Sequence, residues 1–278
     1  MKVHRYQRIE DVPAGVLEFL AQDDMRNNVP YGIFKMIRDN PGIIPDYELF
    51  VVTDGAAIQL YAHHTPPYAP YLSLGRAEAV AALARDWRDS GKTLPGLMGP
   101  QEVTDVFLQH WPALHNHISF AERQGFYRLD QVSLPTPTGA VFEPARLSDL
   151  DLYVSWLKAF CLELNEPYPG DENARLQQLG RIKEGDLYSL SVNGQPVSMT
   201  VAGRKLIHGR CISFVYTPPE QRGLGYAGEL VGRVSQKILD DGYQYCCLFT
   251  QLDNPVSNRI YQRLGYQLLC EFRRYAFG

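Results

Sequence analysis

A glycine-rich turn between a strand-like run and a helix-like run constrains this chain more than any other segment. Residues 216–227 read Y-T-P-P-E-Q-R-G-L-G-Y-A. They follow the apolar run 211–216 and precede an amphipathic run over 227–239. Gly223 and Gly225 can adopt positive φ and let a ligand approach the backbone closely. Because N–H groups at the start of a helix bind anions, the segment predicts a phosphate-binding turn, with a pyrophosphate as the expected ligand.

The length and composition are typical of a globular protein with two domains. The chain has 278 residues, of which 45% are hydrophobic, 12% aromatic and 21% charged. No apolar run approaches the roughly 20 residues that span a bilayer. The N-terminal segment has charges but no apolar stretch behind them, unlike a secretory signal. We therefore expect a cytoplasmic protein that makes no membrane contact.

The charge and the cysteines argue against two further classes of function. A net charge of −4 is opposite to the basic excess of nucleic-acid-binding surfaces, so we expect no nucleic-acid partner. All five cysteines lie in the second half and form no CxxC pair, which predicts free thiols, with Cys246 and Cys247 on opposite faces of a strand. His63-His64 and His115-x-His117 have no further ligands at a metal-site spacing, so we expect no metal.

A proline-rich stretch predicts the domain boundary. Residues 134–145 read L-P-T-P-T-G-A-V-F-E-P-A, with three prolines and a glycine among small residues. We place the division near Thr138, giving domains over 1–137 and 138–278. Each half offers helices, a hairpin, another strand, a helix and a late strand, which predicts two related α/β domains with mixed sheets.

Turn signals and apolar periodicity locate the main elements. Asp54-Gly55 and Asn193-Gly194 predict tight hairpins. Ser148 is expected to cap the first helix of the second half. The predicted strands are 47–53, 56–61, 187–192, 196–202 and 211–216. Helical periodicity predicts further helices within 14–40 and over 76–90, 101–111, 172–183 and 227–239.

Two motifs in the second half together resemble those of a known superfamily. R-G-L-G-Y-A begins at Arg222, and N-P-V-S-N-R-I-Y-Q-R-L-G-Y begins at Asn254, about thirty residues later. In this order they resemble the GNAT superfamily of acyl-CoA-dependent N-acetyltransferases. Its motifs are Gln/Arg-x-x-Gly-x-Gly/Ala and Asn-x-x-Ala-x-x-x-Tyr-x-x-x-Gly-Phe. Here Ser257 stands for the alanine and Tyr266 for the phenylalanine, and the resemblance covers residues 141–278.

The first half resembles the degenerate partner domain of tandem GNAT proteins. Residues 94–107, L-P-G-L-M-G-P-Q-E-V-T-D-V-F, carry this likeness. Where a phosphate loop would belong, residues 72–78 read L-S-L-G-R-A-E, with one glycine only. We therefore expect that this half does not bind CoA in the usual manner. It would shape the acceptor cleft or pack against the catalytic half.

The resemblance implies an acetyl-CoA site and a general acid in the second half. Loop N–H groups would hold the pyrophosphate, and free backbone groups of the preceding strand would pair with the pantetheine arm or polarise the thioester carbonyl. Tyr261 matches the general acid that protonates the departing thiolate, since a phenol with a pKa of about 10 is protonated at neutral pH. The residues implied to bind the cofactor are Phe214, Val215, Thr217, Arg222, Gly223, Leu224, Gly225, Tyr226, Ala227 and Asn254.

The residues themselves leave alternatives open at three points. A Gly-x-Gly turn also serves as a plain strand-to-helix connection. Tyr261 lies at helical spacing with apolar neighbours, which is typical of a core aromatic residue. No glutamate precedes the loop on its strand, so Ser213, a water chain, Glu163 or Glu166 are the options for a general base.

The activity that the resemblance implies is direct transfer of an acetyl group from acetyl-CoA to a primary amine within a ternary complex. The acceptor would be a small molecule or an amino-acid-like amine, and the protein a monomer or homodimer. One alternative is a glycine-type N-acyltransferase that uses a longer acyl-CoA. Another is a non-catalytic acyl-CoA-binding module.

Overall fold

The computed structural model describes all residues, 1–278, and divides them into two compact units. The first unit comprises Met1–Phe126, Gln251–Asp253 and Leu269–Gly278. The second comprises Tyr127–Thr250 and Asn254–Leu268. The contacts therefore group residues 127–137 with the second unit, while the division near Thr138 stays a prediction of the sequence.

Strands and helices are interspersed along the chain. The strands are β1 (Lys2–Tyr6), β2 (Glu48–Asp54), β3 (Ala57–His64), β4 (Tyr71–Leu72), β5 (Gly96–Pro100), β6 (Ile118–Leu129), β7 (Val141–Pro144), β8 (Leu187–Val192), β9 (Gln195–Lys205), β10 (Gly209–Tyr216), β11 (Tyr245–Gln251) and β12 (Gln267–Phe277). The helices are α1 (Val16–Ala21), α2 (Asn28–Asp39), α3 (Ala77–Asp89), α4 (Gln101–His110), α5 (Leu150–Glu163), α6 (Asp171–Lys183), α7 (Tyr226–Asp240) and α8 (Pro255–Leu264). No helix combines the length and the apolar character needed to cross a bilayer.

The first unit is built on a mixed sheet. Its strand order is β1-β2-β3-β4-β5-β12-β6. The pairs from β1 to β4 are antiparallel, β4 and β5 are parallel, and β5 and β12 are antiparallel. Gly55 has a φ of +58° in the predicted hairpin between β2 and β3. The mixed sheet confirms the predicted fold class.

Strand alternation divides the core of the first unit between the two faces of its sheet. Leu49 and Val51 pack with residues of α1 and α2. Phe50 and Val52 pack with residues of α3 and α4, including Trp87. Successive residues of β2 thus serve opposite faces, as the two-residue period of a strand requires.

The second unit is built on a sheet of the same kind. Strands β7, β8, β9 and β10 pair in antiparallel fashion, and β10 pairs with β11 in parallel. Asn193 and Gly194 connect β8 to β9 with φ values of +49° and +76°. Positive φ at both central positions is the type I′ geometry that the Asn-Gly pair predicts.

Three strands, β6, β11 and β12, are divided between the units, and β11 has only its last residue, Gln251, in the first. Strand β6 begins in the first unit and ends in the second, and β12 begins in the second and ends in the first. Tyr127 and Leu129, at the end of β6, are buried in the main core of the second unit. Phe272 of β12 contacts Phe126, with ring centroids 5.7 Å apart, inside the first. Each unit is therefore completed by a distant segment of the chain.

The predicted cap of α5 is wrong. Helix α5 begins at Leu150 with Asp149 at the N-cap, whereas Ser148 lies in a short 3-10 turn over Leu147–Asp149. No side chain caps the first turn of α5. The carboxylate of Asp149 instead accepts from Arg146 Nε at 2.8 Å. The added turn moves the helix start two residues beyond Ser148.

Candidate functional site

Strands β10 and β11 part before they end. Their register runs from Gly209 opposite Tyr245 to Ile212 opposite Leu248 and goes no further. Just beyond this point Phe214 has a φ of +52°, and the register of β10 with β9 shifts between residues 213 and 216. A positive φ at a bulky residue marks a bulge that bends the strand. The end of β10 is therefore left without a partner strand on its β11 side.

The glycine-rich turn follows directly and forms the start of α7. Gly223 and Gly225 have φ values of +79° and +86°, and Gly225 is the N-cap residue of the helix. A Cβ at Gly223 would meet nothing within 4 Å, so the backbone conformation rather than crowding requires glycine there. No side chain caps α7, and Arg222 to Gly225 are exposed. The first N–H groups of α7 thus face an open turn that can receive an anion.

A buried carboxylate that the sequence reading missed lies in the first turn of α7. The side chain of Glu229 is 2% exposed. One oxygen accepts from the backbone N–H of Thr138 at 2.7 Å and the other from Arg233 Nε at 2.9 Å. Burial raises the pKa of Glu229, but the hydrogen bonds from Thr138 and Arg233 outweigh it, and the pKa is lowered overall. The spacing of four residues to Arg233 is the one signal in the sequence that points to this role.

The proline-rich segment lies along α7. A Cβ at Gly225 would lie 3.4 Å from Thr138 Cγ2. A Cβ at Gly232 would lie 3.3 Å from both Leu134 and Pro135. Since these glycines and Glu229 recur along one side of the helix, the segment follows that side from its middle to its N-terminus. The small residues of α7 make room for it.

Arg222 connects the turn to the end of α5 through an ion pair with Glu163. Its Nη2 lies 2.9 Å and 2.7 Å from the two carboxylate oxygens of Glu163, and its Nε donates to the carbonyl of Thr217 at 2.9 Å. The hydroxyl of Tyr216 also reaches Glu163, at 3.4 Å. Glu163, an option for the general base, is therefore engaged as the anion of an ion pair.

The side chains at the end of β10 are held within the unit. Phe214 packs against Phe160 of α5, with ring centroids 5.4 Å apart. Val215 packs against the cluster on the other face that contains Tyr261. The hydroxyl of Thr217 bonds to that of Ser198 at 2.8 Å. With their side chains so engaged, these residues offer a ligand chiefly their backbone groups.

Asn254 is the N-cap residue of α8. Its side chain accepts from the backbone N–H of Ser257 at 3.1 Å, and Pro255 is the first helical residue. Gly265 ends the helix in the left-handed conformation, with a φ of +103°. A Cβ at Gly265 would lie 2.9 Å from the carbonyl oxygen of Gln131, so glycine is required there for space as well. These features fix where Tyr261 lies on α8.

Tyr261 is 8% exposed and faces the core of the second unit. Its ring meets that of Tyr266 edge to face at 6.0 Å, and Val215 and Tyr226 pack against the same cluster. Burial raises the pKa of Tyr261 to about 12. Its hydroxyl bonds to no other group of the chain. A protonated, unengaged phenol therefore lies in the cluster that also holds the end of β10, and its role as an acid stays a prediction.

In the first unit, side chains accept hydrogen bonds from backbone N–H groups in the region around β4, which has no glycine-rich turn. Tyr61 N–H donates to Ser73 Oγ at 3.0 Å, and Leu74 N–H donates to Asn27 Oδ1 at 2.8 Å. Asn27 is itself buried and held through its amide by the carbonyl of Leu20. A backbone N–H in β3 and another just after β4 are thus bonded to side chains of the same unit.

The histidine pair and the cysteines are structural in their surroundings. His63 is buried and stacks on Tyr71 at 5.9 Å, and burial lowers its pKa to about 3. Cys246 and Cys247 are free, buried thiols that face the carbonyls of Ser235 and Arg210 respectively. No group of three or more His, Cys, Asp or Glu side chains is arranged to hold a metal ion.

Comparisons with known proteins agree with this architecture. Residues 197–275 match the family model described as FR47-like protein. An acetyltransferase of the GNAT family from Colwellia psychrerythraea is 10% identical, with 100% of each chain covered and a TM-score of 0.63. A GCN5-related N-acetyltransferase from Sphaerobacter thermophilus is 13% identical, with 98% of this chain and 94% of the other covered and a TM-score of 0.66.

A third solved structure is similar over nearly the whole chain. It is described as a tandem GNAT protein from the clavulanic acid biosynthesis pathway, and it is 12% identical. The match covers 99% of this chain and 97% of the other, with a TM-score of 0.55. No curated protein matches the sequence. The resemblance predicted from the two motifs is confirmed: residues 197–275 match the FR47-like model, and the chain has the fold of GNAT structures, including one described as a tandem GNAT protein.

Proposed function

We propose that the second unit binds acetyl-CoA and transfers its acetyl group to a primary amine of a small molecule or amino-acid-like acceptor. Transfer is direct, within a ternary complex. The observation that carries this proposal is the parting of β10 and β11 immediately before a glycine-rich turn that starts α7. The FR47-like match over residues 197–275 includes both features.

The turn suits a pyrophosphate. Its two glycines adopt the positive φ that brings backbone N–H groups toward one point, and the start of α7 adds its positive dipole end. Arg222 is already paired with Glu163, so backbone groups of residues 222–227 carry the binding. Leu224 is more than half exposed and can cover an adjoining part of the ligand.

The end of β10 suits an extended arm with amide groups. Phe214, Val215 and Thr217 have engaged side chains and a β11-facing edge without a partner strand, which can pair with the amides of pantetheine. Asn254 caps α8 with its side-chain oxygen, Oδ1, which accepts from the N–H of Ser257. Its amide N–H groups are therefore the donors that would reach the arm.

Acetyl-CoA, when bound, supplies an activated acetyl thioester. A backbone N–H at the bulge of β10 orients and polarises the carbonyl oxygen. Tyr261 holds a proton on its hydroxyl at neutral pH because burial raises its pKa to about 12, and it donates that proton to the leaving sulfur. Glu163 is committed to Arg222, so the proton of the amine leaves through Ser213, Glu166 or a water chain.

Two measurements on the full chain test this function. Titration calorimetry with acetyl-CoA should give saturable binding, and thiol release should then depend on an added amine. Absence of acetyl-CoA binding contradicts the proposal. Binding without thiol release across an amine panel identifies a non-catalytic module. Faster release from longer or aromatic acyl-CoA identifies the other kind of N-acyltransferase.

A further inference from the structure

Arg181 of α6 has a half-buried guanidinium group without a carboxylate partner. Its Nη1 donates to Gln178 Oε1 at 2.8 Å, and the guanidinium carbon lies 4.3 Å from the centroid of the Phe214 ring. Burial lowers the pKa of Arg181 to about 10, with no contribution from any Asp or Glu. The group is therefore a cation at neutral pH whose charge is not neutralised by this chain.

Other arginines of the second unit differ from Arg181 in this respect. Most of them, even exposed ones, pair with a carboxylate: Arg128, Arg146, Arg175, Arg210, Arg222 and Arg233. Arg259 and Arg263 project into solvent, where an unpaired charge is well hydrated. A partly desolvated charge is costly unless an opposite charge compensates it. An anion from outside the chain would supply that compensation.

A buried amide holds Arg181 in place. Gln178 is 0% exposed, and its Nε2 donates to the carbonyl of Tyr153 at 2.9 Å. This bond fixes the amide so that Oε1 faces Arg181. Arg181 donates one of the five N–H groups of its guanidinium to Gln178, and the other four are available to bind a ligand. A fixed, planar guanidinium can bind a carboxylate through two parallel hydrogen bonds.

The position of Arg181 connects it to the proposed reaction. It stacks on Phe214, the bulged residue at which β10 parts from β11. We infer that Arg181 binds the carboxylate of the acceptor, so that the acceptor is an amino acid or another amine that carries a carboxylate group. This inference rests on the proposed N-acetyltransferase function, because it identifies the acceptor by a group other than the reacting amine.

Matched acceptors test the inference. Each common amino acid is compared with its own α-amide, which keeps the amine and side chain but lacks the charge. The wild-type protein should acetylate one or more amino acids with a kcat/KM about 100-fold above that of the amide, as two charge-assisted hydrogen bonds would give. Arg181→Gln should remove this preference, mainly through KM, and leave the affinity for acetyl-CoA unchanged.

Three further variants separate a binding role from a structural one. Arg175→Gln, in the same helix at an exposed position paired with Asp151, should change nothing. Gln178→Glu should place a carboxylate beside Arg181 and lower the preference about 10-fold without removing the arginine. Arg181→Lys should retain part of the preference. If Arg181→Gln does not fold, these last two variants decide the question.

Calorimetry with amino acids in the presence of CoA gives a readout that needs no turnover. Binding of the preferred amino acid should be lost in Arg181→Gln and kept in Arg175→Gln. Equal use of acids and amides by the wild type, or an unchanged preference in Arg181→Gln, overturns the inference. Failure to bind acetyl-CoA overturns the proposed function instead, and amino-acid binding to wild type and Arg181→Gln still tests Arg181.

Discussion

The backbone N–H of Thr138 donates to the buried carboxylate of Glu229, 91 residues further along the chain, at 2.7 Å. Glu229 lies in the first turn of α7, one turn beyond Gly225. The bond holds the proline-rich segment against the same helix end that we propose binds the pyrophosphate. A negative side chain in a first turn also interacts favourably with the helix dipole. The Thr138–Glu229 hydrogen bond therefore stabilises the start of the helix without using any group of the glycine-rich turn.

Replacing Glu229 with glutamine should lower the free energy of unfolding by about 1–3 kcal/mol, because a buried charge-assisted hydrogen bond is lost. The pKa of Glu229 is lowered in the folded state, so its ionised form stabilises the fold above the unfolded pKa of about 4.3, and this stabilisation is lost as the pH falls through the lower, folded value. Urea unfolding at pH 7 and at stepwise lower pH measures both effects. The difference between wild type and variant should shrink in acid. Glu172→Gln, at an exposed first-turn position of α6, is the control and should have little effect.

Gly225→Glu should weaken acetyl-CoA binding by at least about 100-fold. The substitution puts a side chain on a residue with a φ of +86° and a negative charge beside the expected pyrophosphate. Gly242→Glu imposes the same backbone strain and charge at the other end of α7, where φ is +94°. Calorimetry should find normal affinity in that control. Unchanged affinity in Gly225→Glu would rule out the phosphate-binding turn.

Tyr261→Phe should lower kcat by about 100-fold or more and leave the affinity for acetyl-CoA unchanged. The hydroxyl bonds to no other group of the chain, so its removal should barely alter stability. Because the pKa of Tyr261 is raised to about 12, the wild-type rate should show no fall from its ionisation between pH 7 and about pH 10. Tyr266→Phe, which breaks a bond to Ser235, should reduce stability rather than turnover. A fully active Tyr261→Phe enzyme would remove the acid role.

Glu163→Gln should reduce turnover by less than about 10-fold. Glu163 forms an exposed ion pair with Arg222, and such pairs contribute about 0.2–1 kcal/mol to the free energy of unfolding. The pH profile of kcat/KM should keep its shape. Loss of the acidic limb together with a large fall in kcat would instead identify Glu163 as the general base.

Features set by neighbouring residues could be predicted from the sequence, and features set by distant ones could not. Asn254 and Gly265 bound α8 through local backbone chemistry, and the Asn193-Gly194 turn follows from the conformations that these residues tolerate. Ser148 is not the cap of α5 because a short 3-10 turn over Leu147–Asp149 precedes the helix and includes it.

The same distinction between local and distant determinants applies to the candidate site. Its glycines and Tyr261 lie in motifs of fixed spacing. Arg181, by contrast, comes from a different helix, and its importance depends on having no carboxylate nearby and on stacking against Phe214. No pattern along the chain reports such a relationship, because both conditions arise from tertiary packing.

Strand β12 is synthesised long after β5, the strand with which it pairs. Phe272 and Tyr275 pair with Pro100 and Leu97 of β5, and the N–H of Phe277 donates to the carbonyl of Pro95 at 3.0 Å. These partners are synthesised some 170 residues before the segment that joins them. The β12 side of β5 therefore stays unpaired until β12 has been synthesised. An unpaired strand edge can pair with another chain, so the first unit is most exposed to aggregation before β12 pairs with it.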